Sequence, residues 1–153
     1  MRIHITAAIN GRERELSVKP NQTLLEFLRD ELHLKGGVEG CGVGVCGSCT
    51  VLVDGRPVSA CLMLAANVEG RRVTTIEELA HGDRLHPIQQ AFIDHQAFQC
   101  GYCTPGMIMA TKALLESNPH PTEEEIRDYL SGNLCRCGTY GEILAAVKEL
   151  SAK

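Results

Sequence analysis

Tryptophan is absent from this chain of 153 residues, and three phenylalanines with three tyrosines leave aromatics at 4%. A core so poor in large rings must rest on leucine, isoleucine, valine and alanine. Two half-size domains built that way each sit near the limit where metals or crosslinks help. No apolar run approaches the ~20 residues of a membrane span, so no transmembrane segment is expected. Met1-Arg2-Ile3-His4-Ile5-Thr6 alternates like a strand and lacks the apolar stretch of a secretory signal, so a soluble, cytoplasmic protein is expected. Basic residues do not dominate: 15 Lys and Arg stand against 19 Asp and Glu, well mixed, which excludes a nucleic-acid footprint. Fifteen glycines and six prolines are ordinary values and argue against low complexity. No Ser–His–Asp set, paired carboxylates or Walker pattern is present. The six histidines form no ligand pair at helical spacing and read as surface or capping residues.

The chain changes character halfway. Residues 2–8 alternate, Asn10-Gly11 is a type I′ hairpin signal, and residues 13–18 return as a second strand. Asn21 or Thr23 can cap a helix over 23–32, with Leu24, Leu25, Leu28 and Leu32 on one face. A glycine-rich loop spans 36–47, followed by a strand at 49–53, an Asp54-Gly55 turn, a partner strand at 57–60, another at 72–74 and a short helix at 76–79. Beyond that the period becomes helical. Helices are expected from Pro87 to about Gln96, from Pro105 to Leu115, from the Thr122/Glu125 capping box to Leu130, and over 140–150 with Ile143, Leu144, Val147 and Leu150 inward. Met107 and Met109 read as core or contact residues, and Glu123-Glu124-Glu125 as an acidic first turn. The pattern is α+β without internal repeats, divided into domains 1–80 and 81–153 near His81-Gly82-Asp83.

Against this plain background stand eight cysteines. Without an export signal, such density points to metal or redox chemistry rather than disulfides. Cys41, Cys46, Cys49 and Cys61 follow C-x4-C-x2-C-x11-C, the plant-type ferredoxin arrangement for a [2Fe-2S] cluster. Three thiolates on one wrapped loop and a fourth from the next connection can surround a two-iron rhomb. Gly40, Gly42, Gly44 and Gly47, interleaved with them, let backbone N–H groups turn toward the sulfurs. Gly42, Gly44 and Gly47 also match G-x-G-x-x-G, but a β-like run follows where a dinucleotide site needs a helix. Cys100, Cys103, Cys135 and Cys137 follow C-x2-C-x31-C-x-C, with the first pair before a helix and the second between two helices. Thiolates near helix starts suit an anionic cluster, and the spacing suggests a second [2Fe-2S] site. Zinc remains open at each quartet, although each contains one C-x2-C rather than the usual two.

Three runs carry a resemblance: Gly40-Cys41-Gly42-Val43-Gly44-Val45-Cys46-Gly47-Ser48-Cys49, Gln99-Cys100-Gly101-Tyr102-Cys103-Thr104-Pro105-Gly106, and Gly132-Asn133-Leu134-Cys135-Arg136-Cys137. Together they resemble the small iron–sulfur subunit of the xanthine dehydrogenase family of molybdenum hydroxylases, collinearly over essentially the whole chain. The resemblance implies a β-grasp, ferredoxin-like domain followed by a four-helix domain, and two [2Fe-2S] clusters. It also implies a large partner subunit with a molybdenum–molybdopterin cofactor, usually a medium subunit with FAD, and an assembly that can dimerise. The cluster on Cys100, Cys103, Cys135 and Cys137 would sit beside the pterin, against Gln99 and Cys137. The cluster on Cys41, Cys46, Cys49 and Cys61 would face the flavin. An amide such as that of Gln99 is suited to hydrogen-bonding a pterin edge. Many family members read Thr-Gly-Tyr after the last ligand, where this chain reads Gly138-Thr139-Tyr140-Gly141. The implied function is electron transfer within a multi-subunit oxidoreductase, with no substrate-converting site in this chain. A free-standing two-cluster carrier is the alternative, and a zinc-stabilised interaction protein a third. The helical second half and a net charge of only −4 speak against the free carrier, because steering by charge favours a stronger field.

Overall fold

Asn10 and Gly11 both take positive φ, 49° and 72°, as a type I′ turn requires. They fold β1 (Ile3–Ile9) back on β2 (Arg12–Val18) as an antiparallel hairpin. Asp54 and Gly55, at 51° and 79°, close β3 (Thr50–Val53) on β4 (Arg56–Ser59) in the same way. The short β5 (Arg72–Thr74) lies parallel to β1 and antiparallel to β3, joining the hairpins into one mixed sheet ordered β2-β1-β5-β3-β4. The computed structural model describes residues 1–152.

Thr23, rather than Asn21, caps the first helix through a capping box with Glu26. The expected helix over 23–32 is shorter as an α-helix. It runs over Leu24–Glu26 (α1) and then widens into a π turn over Phe27–Glu31, which keeps Phe27 and Leu28 buried beside Leu24 and Leu25. Short 3-10 turns occupy Ala65–Val68 and Ile76–Glu78.

The later half holds α2 (Pro87–Asp94), α3 (Thr104–Ser117), α4 (Glu123–Leu130) and α5 (Tyr140–Ser151). Met107 and Met109 are buried, so of the two readings they are core. On α5, Ile143 and Val147 are buried while Leu144 and Leu150 are only partly so; Ala146 fills the centre of that face. One buried cluster joins the sheet to α1, and a second joins the four later helices. Leu52 of β3 belongs to the second, since α3 packs across β3. No helix among the described residues is long and apolar enough to cross a membrane.

Candidate metal centres

The first quartet hangs on the loop between the π turn and β3, with Cys61 supplied just after β4. The loop is tied down from outside: Arg29 Nη1 donates to the carbonyls of Lys35 and Gly37 at 2.8 and 2.5 Å, and Gly36 N–H donates to Glu77 Oε1 at 2.7 Å. Of its four interleaved glycines, Gly42, Gly44 and Gly47 have positive φ. Gly40 serves differently: a Cβ there would sit 2.9 Å from Cys46 Sγ, so its lack of a side chain makes room for a sulfur. The amides of Val43 and Val45 both donate to Cys41 Sγ at 3.4 Å. These amides bring the Cys41 thiol down to about 7. Burial pushes Cys49 up to about 11.

The second quartet brackets the helices. Cys103 is the residue before α3, and Cys135 and Cys137 lie on the α4–α5 loop. Cys135 is buried, whereas Cys100 is exposed. Burial drives Cys103 up to about 12. Burial also works to raise Cys135, but the Thr139 hydroxyl and amide, Cys103 and the Gly138 amide outweigh it and bring it down to about 7. Thr139 Oγ1 lies 3.2 Å from Cys135 Sγ, and the Cys135 amide donates to Tyr140 Oη at 2.7 Å.

Within each quartet the thiols act on one another's ionisation: Cys46 on Cys41, Cys61 and Cys46 on Cys49, Cys135 and Cys100 on Cys103, and Cys100 and Cys135 on Cys137. Among the described residues no three His, Cys, Asp or Glu side chains gather to hold one metal ion. Four thiols gathered on each pair of loops, with the Val43 and Val45 amides aimed at Cys41 Sγ, would suit an anionic iron–sulfur cluster, which such donors would stabilise. All eight cysteines are free of disulfides.

The two loops are clamped together. Leu134 N–H donates to the Cys46 carbonyl at 2.8 Å, one residue from Cys135. The buried Asn133 amide donates to Gly47 O at 3.0 Å and to Thr50 Oγ1 at 3.3 Å. Tyr102 Oη donates to Glu39 O at 2.6 Å. Sequence reasoning named Asn133 and Tyr102 only as parts of motifs. Their contacts span 86 and 63 positions, and no local pattern encodes such a pairing. Gln99 is exposed beside the exposed Phe98 and Cys100. Val43, Val45 and Leu62 form an exposed apolar rim at the first loop, 61–63% accessible. The histidines lie outside both quartets: His86 caps α2, His95 pairs with Glu149, and His120 meets the Ser151 carbonyl.

Fold and site together define an iron–sulfur protein with two 2Fe-2S binding domains. A profile described as a 2Fe-2S iron-sulfur cluster binding domain matches residues 7–81, and one described as a [2Fe-2S] binding domain matches residues 75–148. One of the nicotinate dehydrogenase subunits of Pseudomonas putida is 51% identical over 148 residues, covering 97% of this chain and 94% of that protein. The crystal structure of quinoline 2-oxidoreductase from Pseudomonas putida 86 superposes with a TM-score of 0.94 at 43% identity, covering 98% of this chain and 93% of that one. The aldehyde oxidoreductase of Desulfovibrio desulfuricans superposes at 0.93 with 44% identity over 97% of this chain, which corresponds to 17% of that longer chain. The chain belongs to the small iron–sulfur, electron-transfer subunits of the xanthine dehydrogenase family of molybdenum hydroxylases.

Proposed function

We propose that this chain carries electrons one at a time from a molybdenum–molybdopterin site, on a large partner subunit, to FAD on a medium subunit or to another acceptor. Cys100, Cys103, Cys135 and Cys137 hold the cluster on the pterin side, and Cys41, Cys46, Cys49 and Cys61 hold the cluster on the acceptor side. The clusters supply one-electron redox chemistry. The protein's own part is to fix them relative to each other, shield their sulfurs and present them to partners. The hydrogen bond from Leu134 N–H to Cys46 O carries this reading, since it ties the two ligand loops directly to one another. Exposed Gln99, next to Cys100, is available to a pterin edge together with Cys137. The apolar rim of Val43, Val45 and Leu62 suits contact with the acceptor subunit. The layout proposed is a β-grasp domain over 1–80 and a four-helix domain over 81–153, supported by the two separate buried clusters. A cytoplasmic assembly, able to dimerise, completes the proposal; substrate choice belongs to the large subunit.

The test is iron and acid-labile sulfide on the anaerobically purified complex, with EPR after dithionite reduction. About four irons and four sulfides per chain, with two distinct signals, are expected for two such centres. Zinc without sulfide, or a complex lacking molybdenum and pterin, overturns the proposal.

A further inference from the structure

We propose that Thr139 is a potential-setting residue: its hydroxyl donates a hydrogen bond to Cys135 Sγ and raises the reduction potential of the second cluster above that set by backbone alone. The inference rests on the proposal that Cys135 is a cluster ligand. Thr139 Oγ1 is 3.2 Å from the sulfur, and as bare side chains either atom could donate. A ligating cysteine is a thiolate with no proton, so the direction is then fixed from hydroxyl to sulfur.

Three features make this hydroxyl available. Thr139 stands immediately before α5, where a threonine ordinarily accepts a backbone N–H from the first turn, yet its side chain makes no such cap. Its carbonyl serves the helix instead, accepting from Ile143 N at 3.0 Å. Gly138, at φ 81°, turns the chain so that the next residue faces back toward Cys135. Tyr140 Oη accepts the Cys135 amide at 2.7 Å, which holds the cysteine in place while the hydroxyl approaches its sulfur. The Gly138-Thr139-Tyr140 order thus brings a side-chain donor onto a buried sulfur, where water competes little.

Reduction adds one electron to the cluster; no bond forms or breaks, and the hydroxyl keeps its proton. A donor aimed at the sulfur stabilises the more negative, reduced state more than the oxidised one, so the potential rises. Cys41 receives its donors from the amides of Val43 and Val45, which substitution of those side chains leaves in place. Thr139 is therefore a point at which substitution can adjust the second centre without touching the donors to Cys41.

The experiment is an EPR-monitored redox titration of the full, cluster-loaded chain, comparing the native protein with Thr139→Val and Thr139→Ser. Cys61→Ser identifies which signal belongs to the first quartet. Thr139→Val is expected to shift the reduction equilibrium of the second cluster about tenfold toward the oxidised form, about 59 mV for one electron. The first cluster stays in place, and Thr139→Ser retains the native value. An unmoved second cluster in Thr139→Val, an equal shift of both, or a serine variant that falls as far as valine overturns the role of Thr139. If Thr139→Val fails to fold, Thr139→Ala, which also removes the hydroxyl and leaves the Thr139 and Gly138 amides in place, is expected to show the same fall in the second cluster's potential, and an unmoved potential overturns the inference. A native chain with about two irons instead fails at the ligand assignment itself.

Discussion

At the scale of single residues, His86 shows how a histidine serves structure rather than chemistry. Its Nδ1 accepts from Ile88 N at 3.2 Å while Gln89 Oε1 accepts from His86 N at 2.9 Å, closing a capping box on α2. Burial holds the imidazole below its ordinary pKa; the Lys112 charge and His81 act the same way and Glu116 opposes them. The unfolded chain therefore binds this proton more readily than the folded one. The contribution to stability is complete above the ordinary histidine value of about 6.5 and falls away as pH drops through the folded value. A protonated Nδ1 also cannot accept the Ile88 amide. His86→Asn keeps an acceptor and should flatten this acid limb, whereas His86→Ala should cost about 1 kcal/mol even at pH 8. Urea midpoints of the three proteins at pH 8 and pH 5.5 check both statements. The sequence suggested capping for its histidines as a group without indicating that His86 would cap α2, because imidazole is not among the usual N-cap types.

At the scale of elements, what was legible had a local cause. Asn10-Gly11 and Asp54-Gly55 announced both hairpins, and Thr122 with Glu125 announced α4. Each cysteine quartet was legible as a spacing. The π turn after α1, the insertion of β5 between β1 and β3, and the clamp between the cysteine loops were not, because each depends on partners far along the chain. The clamp can be weighed with two glycines of similar backbone. Gly47 and Gly55 have φ of 71° and 79°, so alanine at either meets about 1 kcal/mol of left-handed strain. At Gly55 a Cβ meets nothing within 4 Å, but at Gly47 it would lie 2.5 Å from Asn133 Nδ2 and 2.6 Å from Gly132 O. Gly47→Ala should therefore lose about 1–3 kcal/mol more than Gly55→Ala, the usual range for overpacking. Denaturation of the two variants side by side measures the difference. Equal losses would mean that the loops give way freely at this contact.

For the whole molecule, the decisive question is what holds the helical half against the cluster loop of the sheet half. The first turn of α3 bears directly on that loop: a Cβ on Gly106 would press inside contact distance of the Gly47 carbonyl, with Ser48 Cα 3.2 Å away. Gly141, in the first turn of α5, has nothing within 4 Å. Both glycines are helical, and by backbone entropy alone alanine would stabilise each by up to about 1 kcal/mol. Contact should reverse the sign at one of them. Gly141→Ala is expected to raise the unfolding midpoint. Gly106→Ala is expected to lower it, because the obstacle is a backbone carbonyl that Thr50 N–H, Thr50 Oγ1 and Asn133 Nδ2 already hold in place, at 3.1, 2.7 and 3.0 Å. The displacement of α3 should also weaken the magnetic interaction between the two reduced clusters, since Cys103 directly precedes that helix while Cys46 and Cys49 flank Gly47. EPR at several microwave powers reads that interaction in both variants. Loss of interaction in Gly106→Ala with the Gly141→Ala spectrum unchanged would assign the spacing of the two centres to this one helix–loop contact. A Gly106→Ala protein as stable and as strongly coupled as the native one would show instead that Asn133 and Leu134 hold the two halves without it.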